Sequence, residues 1–177
     1  MLYSKMDSVN KKEMLTAFVL PIVYCRFPEF TKSNRAFRMF IMMLRYDNSF
    51  GLIGGKVNKN ETVLEGLKRE TMEESFIDLA FVEEGLVKIS EFSEENNNYK
   101  IKSHFYCINM GIAEVEEIKK LISRANLSQS SISEGNVIAI HAYGKHYKKL
   151  RNKCNLAVGV DKELDCINKK YSDYIDV

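Results

Sequence analysis

The hydrophobic and polar positions of this chain follow two patterns along its length. Apolar runs rich in β-branched and aromatic residues predict strands at residues 16–26, 36–46 and 50–53. Apolar residues three or four positions apart predict helices at residues 61–76 and 112–124. Further strands are predicted at residues 77–81, 86–92, 99–109 and 136–143, and a closing helix at residues 155–174. These elements do not alternate strictly as β-α units, so the pattern predicts an α+β fold with a mixed sheet flanked by helices.

Single residues refine these predicted elements. Pro21 lacks a backbone N–H and therefore indicates a sheet edge or a bulge in the first strand. Asp47 begins a turn, which predicts a hairpin between the second and third strands. Asn60 is the expected N-cap of the helix at residues 61–76, and Gly66 within that helix indicates close packing against a neighbour.

The composition is that of an ordinary soluble globular protein. The chain has 177 residues, 45% hydrophobic and 28% charged, which suits one domain over residues 1–177 with a substantial core. A net charge of +2 gives no strong field for nucleic acid or membranes. The four cysteines lack zinc-binding or disulfide spacing, which favours a reducing cytoplasm. The N-terminus is unlike a signal peptide and no apolar run has membrane-spanning length, so we expect a cytoplasmic protein without a membrane partner.

Three carboxylates are the clearest chemical feature of the sequence. Glu70, Glu73 and Glu74 have the spacing i, i+3, i+4, which places them on one face of the predicted helix. Charges of one sign at such distances repel unless a positive group neutralises them, and carboxylate oxygens suit a hard divalent cation. A solvated helix face without a bound ion is the alternative.

The residues around the carboxylates favour a binding site over a solvated surface. The three charges lie toward the C-terminal end of the helix, where the helix dipole disfavours anions. Gly54 and Gly55 precede the helix and would let a backbone carbonyl approach a ligand without a side chain in the way. Arg69 and Glu61 are eight residues apart, about two turns, so a bidentate pair can tie the loop to the helix.

The charged residues of this stretch also occur in a recognisable order. The pattern is Gly-x5-Glu-x7-Arg-Glu-x2-Glu-Glu, and its positions are occupied by Gly55, Glu61, Arg69, Glu70, Glu73 and Glu74. In this order the residues resemble the sequence box of the Nudix family, which implies the Nudix α/β/α sandwich. Two positions depart from that box. Thr71 replaces an aliphatic residue, and Phe76 replaces the glycine that ends the helix, where a left-handed backbone is expected.

The resemblance implies a metal-dependent pyrophosphohydrolase. It would cleave a diphosphate linkage in a nucleoside diphosphate derivative, with Mg²⁺ or Mn²⁺ as the cofactor. By the resemblance, Glu70 and Glu74 are the principal metal ligands, and the Gly54 carbonyl is a further ligand. Glu73 is either a further ligand or a residue that assists through water. Arg69 would orient the site together with its glutamate partner, without reacting itself.

The resemblance also implies an acid outside the box. Glu134, just before the predicted strand at residues 136–143, is the candidate for this acidic residue, which would act as a base or as an extra metal ligand, and an ordinary loop residue is the alternative. Glu91, Glu94 and Glu95 are weaker candidates because they lie near a predicted hairpin tip, where solvation is the expected role.

A looser resemblance, to the snoRNA-decapping and inosine-diphosphatase branch of the family, covers more of the chain. It rests on residues 35–55 and on the His-Phe-Tyr run at residues 104–106, which precedes a glutamate-rich helix. It implies that Arg45 holds phosphates and that Leu52 contacts a purine. The implied substrate is a purine nucleoside diphosphate or the 5′ cap of an RNA, so RNA joins the nucleotide as an implied partner.

Other interpretations stay open at this point. Within the enzyme class, the substrate could be ADP-ribose, a nucleoside triphosphate or a dinucleoside polyphosphate. A catalytically silent Nudix protein that binds a nucleotide or RNA is the alternative outside it, supported by the Phe76 change. The basic run at residues 145–151 is either an RNA-backbone contact or a solvated helix start. Ile118, Leu121 and Ile122, or alternatively the closing helix, are candidates for a homodimer interface.

Overall fold

The computed structural model describes residues 11–27, 35–79, 83–95, 98–127, 135–157 and 159–176. The strands are β1 (Lys12–Arg26), β2 (Arg35–Arg45), β3 (Ser49–Gly51), β4 (Ile53–Lys56), β5 (Leu86–Glu95), β6 (Tyr99–Glu114), β7 (Gly135–His141), β8 (Asn155–Leu156) and β9 (Tyr174–Asp176). The helices are α1 (Val63–Ser75), α2 (Val115–Asn126), α3 (Gly144–Lys153) and α4 (Val160–Lys170), and a 3-10 turn covers Glu83–Gly85.

Strand β1 is the centre of a mixed sheet. It runs parallel to β6 from Lys12, opposite Tyr99, to Arg26, opposite Glu114. On its other edge, β1 pairs antiparallel with β4 in its first half and with β2 in its second half. The strand order is β5-β6-β1-β2-β3-β8, and β7 and β9 also pair with β2. The predicted α+β class and the predicted mixed sheet are confirmed.

Pro21 lies inside the sheet rather than at its edge. The last pair of β1 with β4 is Val19 with Ile53, and the first pair of β1 with β2 is Ile22 with Phe40. Pro21 therefore lies where β1 changes partner, and a missing N–H costs little there. The register of β1 against β6 shifts just beyond this point, so the structure shows an irregularity in the strand and no sheet edge.

The predicted hairpin is present, and its second strand is split into β3 and β4. β3 returns along β2 with Phe50 opposite Leu44, and the turn between them carries Asn48 with φ of 60°. After Leu52 the chain leaves β2 and continues as β4 against β1. This change of partner brings the glycine pair next to the first half of β1.

Two hydrophobic cores lie on opposite faces of the sheet because neighbouring residues of β1 point to opposite sides. Ala17 and Val19 belong to the core that α1 and α2 cover. Leu20 and Ile22 belong to the core that α3 and α4 cover. The molecule therefore has three layers, with helices on both faces of the sheet, as an α/β/α sandwich requires.

Helix α1 begins two residues later than the sequence predicts. The Thr62 hydroxyl accepts a hydrogen bond from the Glu65 backbone N–H (3.2 Å), and the Glu65 carboxylate accepts one from the Thr62 N–H (2.7 Å). This capping box makes Thr62 the N-cap, so the Asn60 prediction is wrong. Gly66 is closely packed, as predicted, since a Cβ there would lie 3.0 Å from Val57.

The strand predicted at residues 77–81 is wrong for the residues that the structure describes. Helix α1 ends at Ser75 with Phe76 as its C-cap, and residues 77–79 continue without forming a strand. Ile77 and Leu79 are buried in the core beneath α1. Their alternation therefore reflects burial of a connecting segment and not pairing in the sheet. Residues 80–82 lie outside the described ranges.

The closing helix predicted at residues 155–174 is instead three elements: β8, α4 and β9. Gly159 precedes α4 with φ of 89°, a left-handed conformation that interrupts a continuous helix. β8 and β9 pair with β3 and β2, so partners distant in the sequence divide this region. The basic run at residues 145–151 lies within α3, a helix that the hydrophobic pattern did not predict.

Helix α2 packs its apolar side on the sheet. Ile118 is buried, and Leu121 and Ile122 pack against the same core. These residues belong to the interior of the monomer, which gives no support to a homodimer interface at this face. Within the described ranges, no helix has both the length and the apolar character needed to span a bilayer.

Candidate functional site

Arg69 connects the loop before α1 with the carboxylates on α1. Its Nε lies 2.7 Å from Glu61 Oε1 and its Nη2 lies 3.1 Å from Glu61 Oε2, which is a bidentate pair. Its Nη1 donates to Glu70 Oε1 (2.9 Å) and Glu73 Oε2 (3.1 Å). Its Nη2 also donates to the Lys56 carbonyl (2.9 Å). One guanidinium therefore holds the loop, the end of β4 and two of the three clustered glutamates.

The contact between Arg69 and Glu61 changes the titration of both groups. Hydrogen bonding to Arg69, with a further hydrogen bond from the Asn58 backbone, lowers the pKa of Glu61 to about 2. Hydrogen bonding to Glu61 in turn raises the pKa of Arg69. Both groups stay charged at physiological pH, so a permanent ion pair holds the loop to the helix.

Two glycines let β4 lie close to its neighbours. Gly54 has φ of 130°, and a Cβ on it would lie 2.2 Å from the Ala17 carbonyl oxygen. A Cβ on Gly55 would lie 2.9 Å from the Glu70 carboxylate. A side chain at either position would push β4 away from β1 or from α1. Gly54 therefore allows the close contact of β4 with β1, and Gly55 allows the close contact of β4 with the Glu70 carboxylate.

The three glutamates of α1 lie in different surroundings. Glu74 is 6% exposed, and its Oε2 accepts a hydrogen bond from the Gly54 N–H (2.7 Å). The Glu70 side chain is 14% exposed and lies beside Gly55. The Glu73 side chain is 54% exposed and contacts Arg69. Glu70 and Glu74 therefore face the strand, whereas Glu73 lies on the outer side of the helix.

Phe76 adopts the backbone conformation expected of the glycine that it replaces. Its φ of 56° and ψ of 19° are left-handed, and its N–H donates to the Met72 carbonyl (3.1 Å). The Arg124 guanidinium lies over the phenylalanine ring, 4.8 Å from its centre. The ring also packs against the core under α1. Tertiary contacts therefore hold a conformation that phenylalanine alone disfavours, and α1 ends as the box requires.

Glu70 and Glu74 line an open cleft of about 610 Å³. The cleft is also lined by all four residues predicted from the sequence to bind substrate, namely Arg45, Leu52, Gly54 and Gly55. Among the described residues, Arg45 forms no ion pair. The pKa of Asp47 is lowered by hydrogen bonds from Ser49 and also by the charge of Arg45, so the guanidinium already attracts one carboxylate of the cleft besides any anion that binds there.

A second pocket, of about 520 Å³, opens beside the cleft. The two share the lining residues Thr16, Phe18, Arg45, Asp47 and Leu52. The second pocket is largely apolar, and its wall includes Phe92 and the stacked rings of Phe18 and Phe105, with centres 5.6 Å apart. An aromatic wall of this kind suits a planar ligand such as a nucleobase.

The sequence pattern did not reveal this aromatic wall. Phe18 lies opposite Phe105 in the parallel pairing of β1 with β6. A parallel pair needs a long connection, and its register follows from the whole intervening structure. Alternation of apolar residues within each strand was the available signal, and it shows which side chains share a face but not which strands are neighbours.

The donor groups of the cleft fit a hard cation that is held partly by substrate. Within the described ranges, no three His, Cys, Asp or Glu side chains converge as a ready cage for a metal ion. Mg²⁺ in phosphate-processing sites is usually held by one or two protein carboxylates together with water and substrate phosphates. Glu70 and Glu74 supply two carboxylates in one cleft, and the absent Cβ of Gly55 leaves room beside them. These residues fit a divalent-cation site of that type.

Two further acids line the pockets. Asp47, expected only as a turn residue, lines both of them, and Glu94 lines the apolar one. Hydrogen bonds from Ser49 lower the pKa of Asp47, so its carboxylate stays ionised. Glu91 and Glu95 pair with lysines instead, in line with the solvated role expected for them.

One predicted feature lies apart from this cleft, and the position of another is not described. Glu134 falls outside the described residues. Lys145, Lys148 and Lys149 line a concave surface of about 430 Å³ on α3, which shares no lining residue with the cleft or with the apolar pocket.

Comparison with known families assigns the class of protein that this fold and box define. A family model described as "Nudt16-like: U8 snoRNA-decapping enzyme-like" matches residues 17–132, well over half of the chain. The chain belongs to the Nudix hydrolase family, as the order of its charged residues predicts. No curated protein matches the chain at a significant level.

Solved structures with this fold share little sequence with the chain. A MutT/Nudix family protein from Listeria innocua gives a TM-score of 0.59 at 10% identity, covering 90% of this chain and 94% of that one. The Nudix domain of Shewanella oneidensis NrtR, solved with ADP-ribose, gives a TM-score of 0.58 at 11% identity, covering 96% and 95%. At such identities the similarity shows the fold alone.

Proposed function

We propose that this protein is a metal-dependent pyrophosphohydrolase that cleaves the diphosphate linkage of a nucleoside diphosphate derivative. The observation that carries the proposal is one cleft lined by two carboxylates, Glu70 and Glu74, and an arginine, Arg45, next to an aromatic pocket. Two carboxylates alone would repel a diphosphate. A divalent cation held by these carboxylates would offset that repulsion, and an arginine binds phosphate oxygens directly.

The residues of the site have separate roles in this proposal. Glu70 and Glu74 would hold the cation, with the Gly54 carbonyl as a neutral ligand. A cation bound there supplies neutralisation of the phosphate oxygens and acidification of a bound water. Arg69 positions Glu70 through its hydrogen bond of 2.9 Å. Glu73 is exposed and bound to Arg69, so we place it as an outer residue that assists through water.

A general base outside the box is also needed to take a proton from the attacking water. Glu134, which the sequence predicts for this role, is one candidate. Asp47 joins it because this carboxylate lies in the cleft. Exchange of each carboxylate for its amide would distinguish the two, since the base alone should shift the acidic limb of the pH–rate profile.

The apolar pocket indicates the class of substrate. A nucleobase would lie against Phe18 and Phe105, with Leu52 as an apolar contact, and the diphosphate would pass Arg45 to reach the glutamates. Purine nucleoside diphosphates and the 5′ cap of RNA are the substrates that we propose. The match to a family model described by snoRNA decapping supports the second. ADP-ribose, nucleoside triphosphates and dinucleoside polyphosphates carry the same nucleoside diphosphate unit and are the alternatives.

A catalytically silent nucleotide-binding protein is less well supported. The sequence feature in its favour was Phe76, and that residue adopts the left-handed turn that the box needs. A silent descendant would also have no need for two carboxylates in one cleft, because their repulsion favours neither folding nor nucleotide binding.

The test is a panel of these substrates with Mg²⁺ or Mn²⁺, comparing the wild type with Glu74→Gln. The exchange keeps an oxygen that can accept the Gly54 N–H and removes the charge, so we expect the fold to survive. Loss of a metal ligand should lower kcat/KM by roughly 100-fold or more. Glu84→Gln, at an exposed residue of the 3-10 turn, is the matched control and should behave as wild type.

The outcomes separate the parts of the proposal. Turnover of none of the substrates by the wild type would show that the protein is not this kind of enzyme. Equal turnover by the wild type and Glu74→Gln would remove the metal-ligand role from Glu74. Preference for ADP-ribose over purine diphosphates and capped RNA would keep the enzyme class and replace the substrate.

A further inference from the structure

A large groove adjoins the cleft and shares no described lining residue with the aromatic pocket. Its volume is about 1190 Å³, and it shares Met14 and Lys56 with the cleft. The groove, called the lysine groove below, is lined by Lys11, Lys12, Glu13, Met14, Leu15, Lys56, Val57, Asn58, Lys59, Glu61, Glu95, Lys100 and Lys102. Six of these side chains are lysines and three are glutamates, so the groove is basic although the chain as a whole is nearly neutral.

Every acid of the lysine groove already has a cationic partner. Glu61 is held by Arg69, at 2.7 Å. Glu95 pairs with Lys11 at 2.6 Å, and Glu13 pairs with Lys100 at 3.5 Å. The negative charges of the groove are therefore neutralised within the protein and would not repel an anionic ligand.

Three lysines of the groove are left over after this pairing. Lys12, Lys56 and Lys59 are exposed, and none of them forms an ion pair with another described residue. Lys56 lies next to Thr16 in the pairing of β1 with β4, where the groove meets the cleft. Lys12 lies four residues before Thr16 on β1, which is about 13 Å from Thr16 along the strand. The unpaired charges are thus spread along the groove and do not form a single anion site.

The groove floor is held rigidly. The Val57 N–H donates to the Leu15 carbonyl (2.9 Å), which extends the pairing of β1 with the chain after β4. Arg69 fixes the Lys56 carbonyl and the Glu61 carboxylate on the other side. The backbone of the groove is therefore fixed where the groove meets the cleft, which lowers the ordering cost of binding there.

The position of the groove relative to the cleft identifies its ligand. The aromatic pocket and the lysine groove adjoin the cleft through different lining residues. A substrate with its base in the pocket and its diphosphate at Glu70 and Glu74 would leave the cleft at Lys56. A groove of this size, with separated cations, fits a chain of phosphates better than one phosphate group.

We propose that the lysine groove binds a linear chain of phosphate groups that continues from the diphosphate of the substrate. The phosphodiester backbone of an oligoribonucleotide and an extended polyphosphate share this chemistry. The proposal rests on the proposed function for the position of the diphosphate, but the charge of the groove can be tested separately. It also replaces α3 as the basic surface of interest, because Lys145, Lys148 and Lys149 lie apart from the cleft.

The test compares two variants with the same change of charge. Lys12→Gln/Lys59→Gln changes the groove without touching a residue that lines the cleft, and Lys148→Gln/Lys149→Gln changes α3. Binding of a fluorescein-labelled oligoribonucleotide and of inorganic polyphosphate is measured at rising salt. Turnover is measured with a cap dinucleotide, which has no tail, and with a short capped oligoribonucleotide.

We expect the groove variant alone to be impaired. Its kcat/KM for the capped oligoribonucleotide should fall about fivefold, from the loss of two exposed ionic contacts, while the cap dinucleotide is cleaved as by wild type. The slope of log affinity against log salt should decrease in magnitude by about 1.4. Weakened binding of the oligoribonucleotide but not of polyphosphate assigns a phosphodiester chain, and the reverse assigns a polyphosphate.

Several results would overturn the groove assignment. Equal behaviour of the two variants would show a general charge effect, and loss in the α3 variant alone would move the ligand to α3. Equal loss for the tailed and the tailless substrate would mean that the groove lysines act on the diphosphate itself. If the wild type cleaves neither substrate and the groove variant still loses binding and salt dependence, the groove stands and the proposed hydrolysis fails.

Discussion

Arg69 and Arg38 each hold several parts of the chain together, but over very different distances along the sequence. Arg69 binds groups one to thirteen residues away, in α1, in the loop before it and at the end of β4. Arg38, on β2, binds the Tyr171 carbonyl (2.6 Å), Asn168 Oδ1 (2.8 Å) and Asp173 Oδ1 (2.7 Å), which are 130 to 135 residues away. The first cluster arranges the candidate site, and the second joins the C-terminal segment to the sheet.

The two clusters also differ in their access to water. The Arg69 side chain is 28% exposed, whereas the Arg38 side chain is 1% exposed. Water can solvate the partners of Arg69 when that residue is removed, but the carbonyls around Arg38 would lose their hydrogen bonds inside the protein. We therefore expect Arg69 to affect activity more than stability and Arg38 to affect stability more than activity.

The largest expected effect is that of Arg38→Met. The exchange keeps an apolar stem in the buried space and removes every hydrogen bond of the guanidinium, so the free energy of unfolding should fall by about 3 kcal/mol. For a chain of this size, the thermal midpoint should fall by roughly 10 °C. Calorimetry or circular dichroism measures this change.

Arg35→Met is the matched control on the same strand. Arg35 pairs with Asp176, and both side chains are exposed. Loss of such a surface pair should cost about 0.5 kcal/mol. A similar loss of stability in both variants would show that burial of Arg38 is not the reason for its importance.

The next effect is that of Arg69→Lys. Lysine keeps the charge but cannot make the bidentate bond to Glu61 while also holding Glu70, so the glutamate is no longer fixed. We expect kcat/KM to fall about 10- to 100-fold, with a change in unfolding free energy below about 1 kcal/mol. A stability loss as large as that of the Arg38 variant would contradict the division between the clusters.

Glu73→Gln sharpens the same comparison within the Arg69 cluster. Glu73 is the most exposed of the three clustered glutamates and accepts one bond from Arg69. If it assists only through water, its exchange should lower kcat/KM by much less than Glu74→Gln. Equal losses in steady-state kinetics at saturating Mg²⁺ would make Glu73 a direct ligand.

Phe76 provides a smaller test of how tertiary contacts support the site. Phe76→Ala removes the ring under Arg124 and keeps the unfavourable left-handed backbone, whereas Phe76→Gly removes both the ring and the strain. Phe76→Gly should therefore be more stable than Phe76→Ala by about 1 kcal/mol, as measured by denaturant unfolding. Equal stability of the two variants would mean that the backbone at this position is not strained.

The smallest expected effect is a difference between Glu163 and Glu61 in how each makes stability depend on pH. Burial raises the pKa of Glu163 on α4, whose Oε1 accepts a hydrogen bond from Ser90 Oγ (2.6 Å). Between the ordinary value of 4.5 and the raised value, the folded state binds more protons than the unfolded state, so stability falls as the pH rises. Glu61 has the opposite sign, because its stabilising charge is lost only as the pH falls from 4.5 toward about 2.

Glu163→Gln tests this difference. The amide oxygen can still accept from Ser90, and no buried charge is left, so the variant should be more stable than wild type at neutral pH and equal to it at low pH. Thermal midpoints across the acidic to neutral range measure both curves. A constant gap between the curves would show that Glu163 does not titrate in this range.

Much of the candidate site was predictable because its residues are close in sequence. The contact of Arg69 with Glu61 was predicted from their spacing of eight residues, because both the loop and α1 lie in one short stretch of the chain. The helix start was misplaced by two residues because the Thr62 capping box competes with Asn60 as a cap. The apolar residues at 77 and 79 suggested a strand, although they only fill the core beneath α1.

The sequence by itself determined the Nudix box, the charge of its residues and the alternation that gives β1 two apolar faces. These features depend on helix and strand periods, which are local properties of the backbone. Only the tertiary structure decided that Phe18 meets Phe105, that Asp47 lines the cleft, and that Lys12 and Lys59 line one groove. Such contacts depend on which strands pair and in which register, and the free energy of the whole packed sheet selects that arrangement.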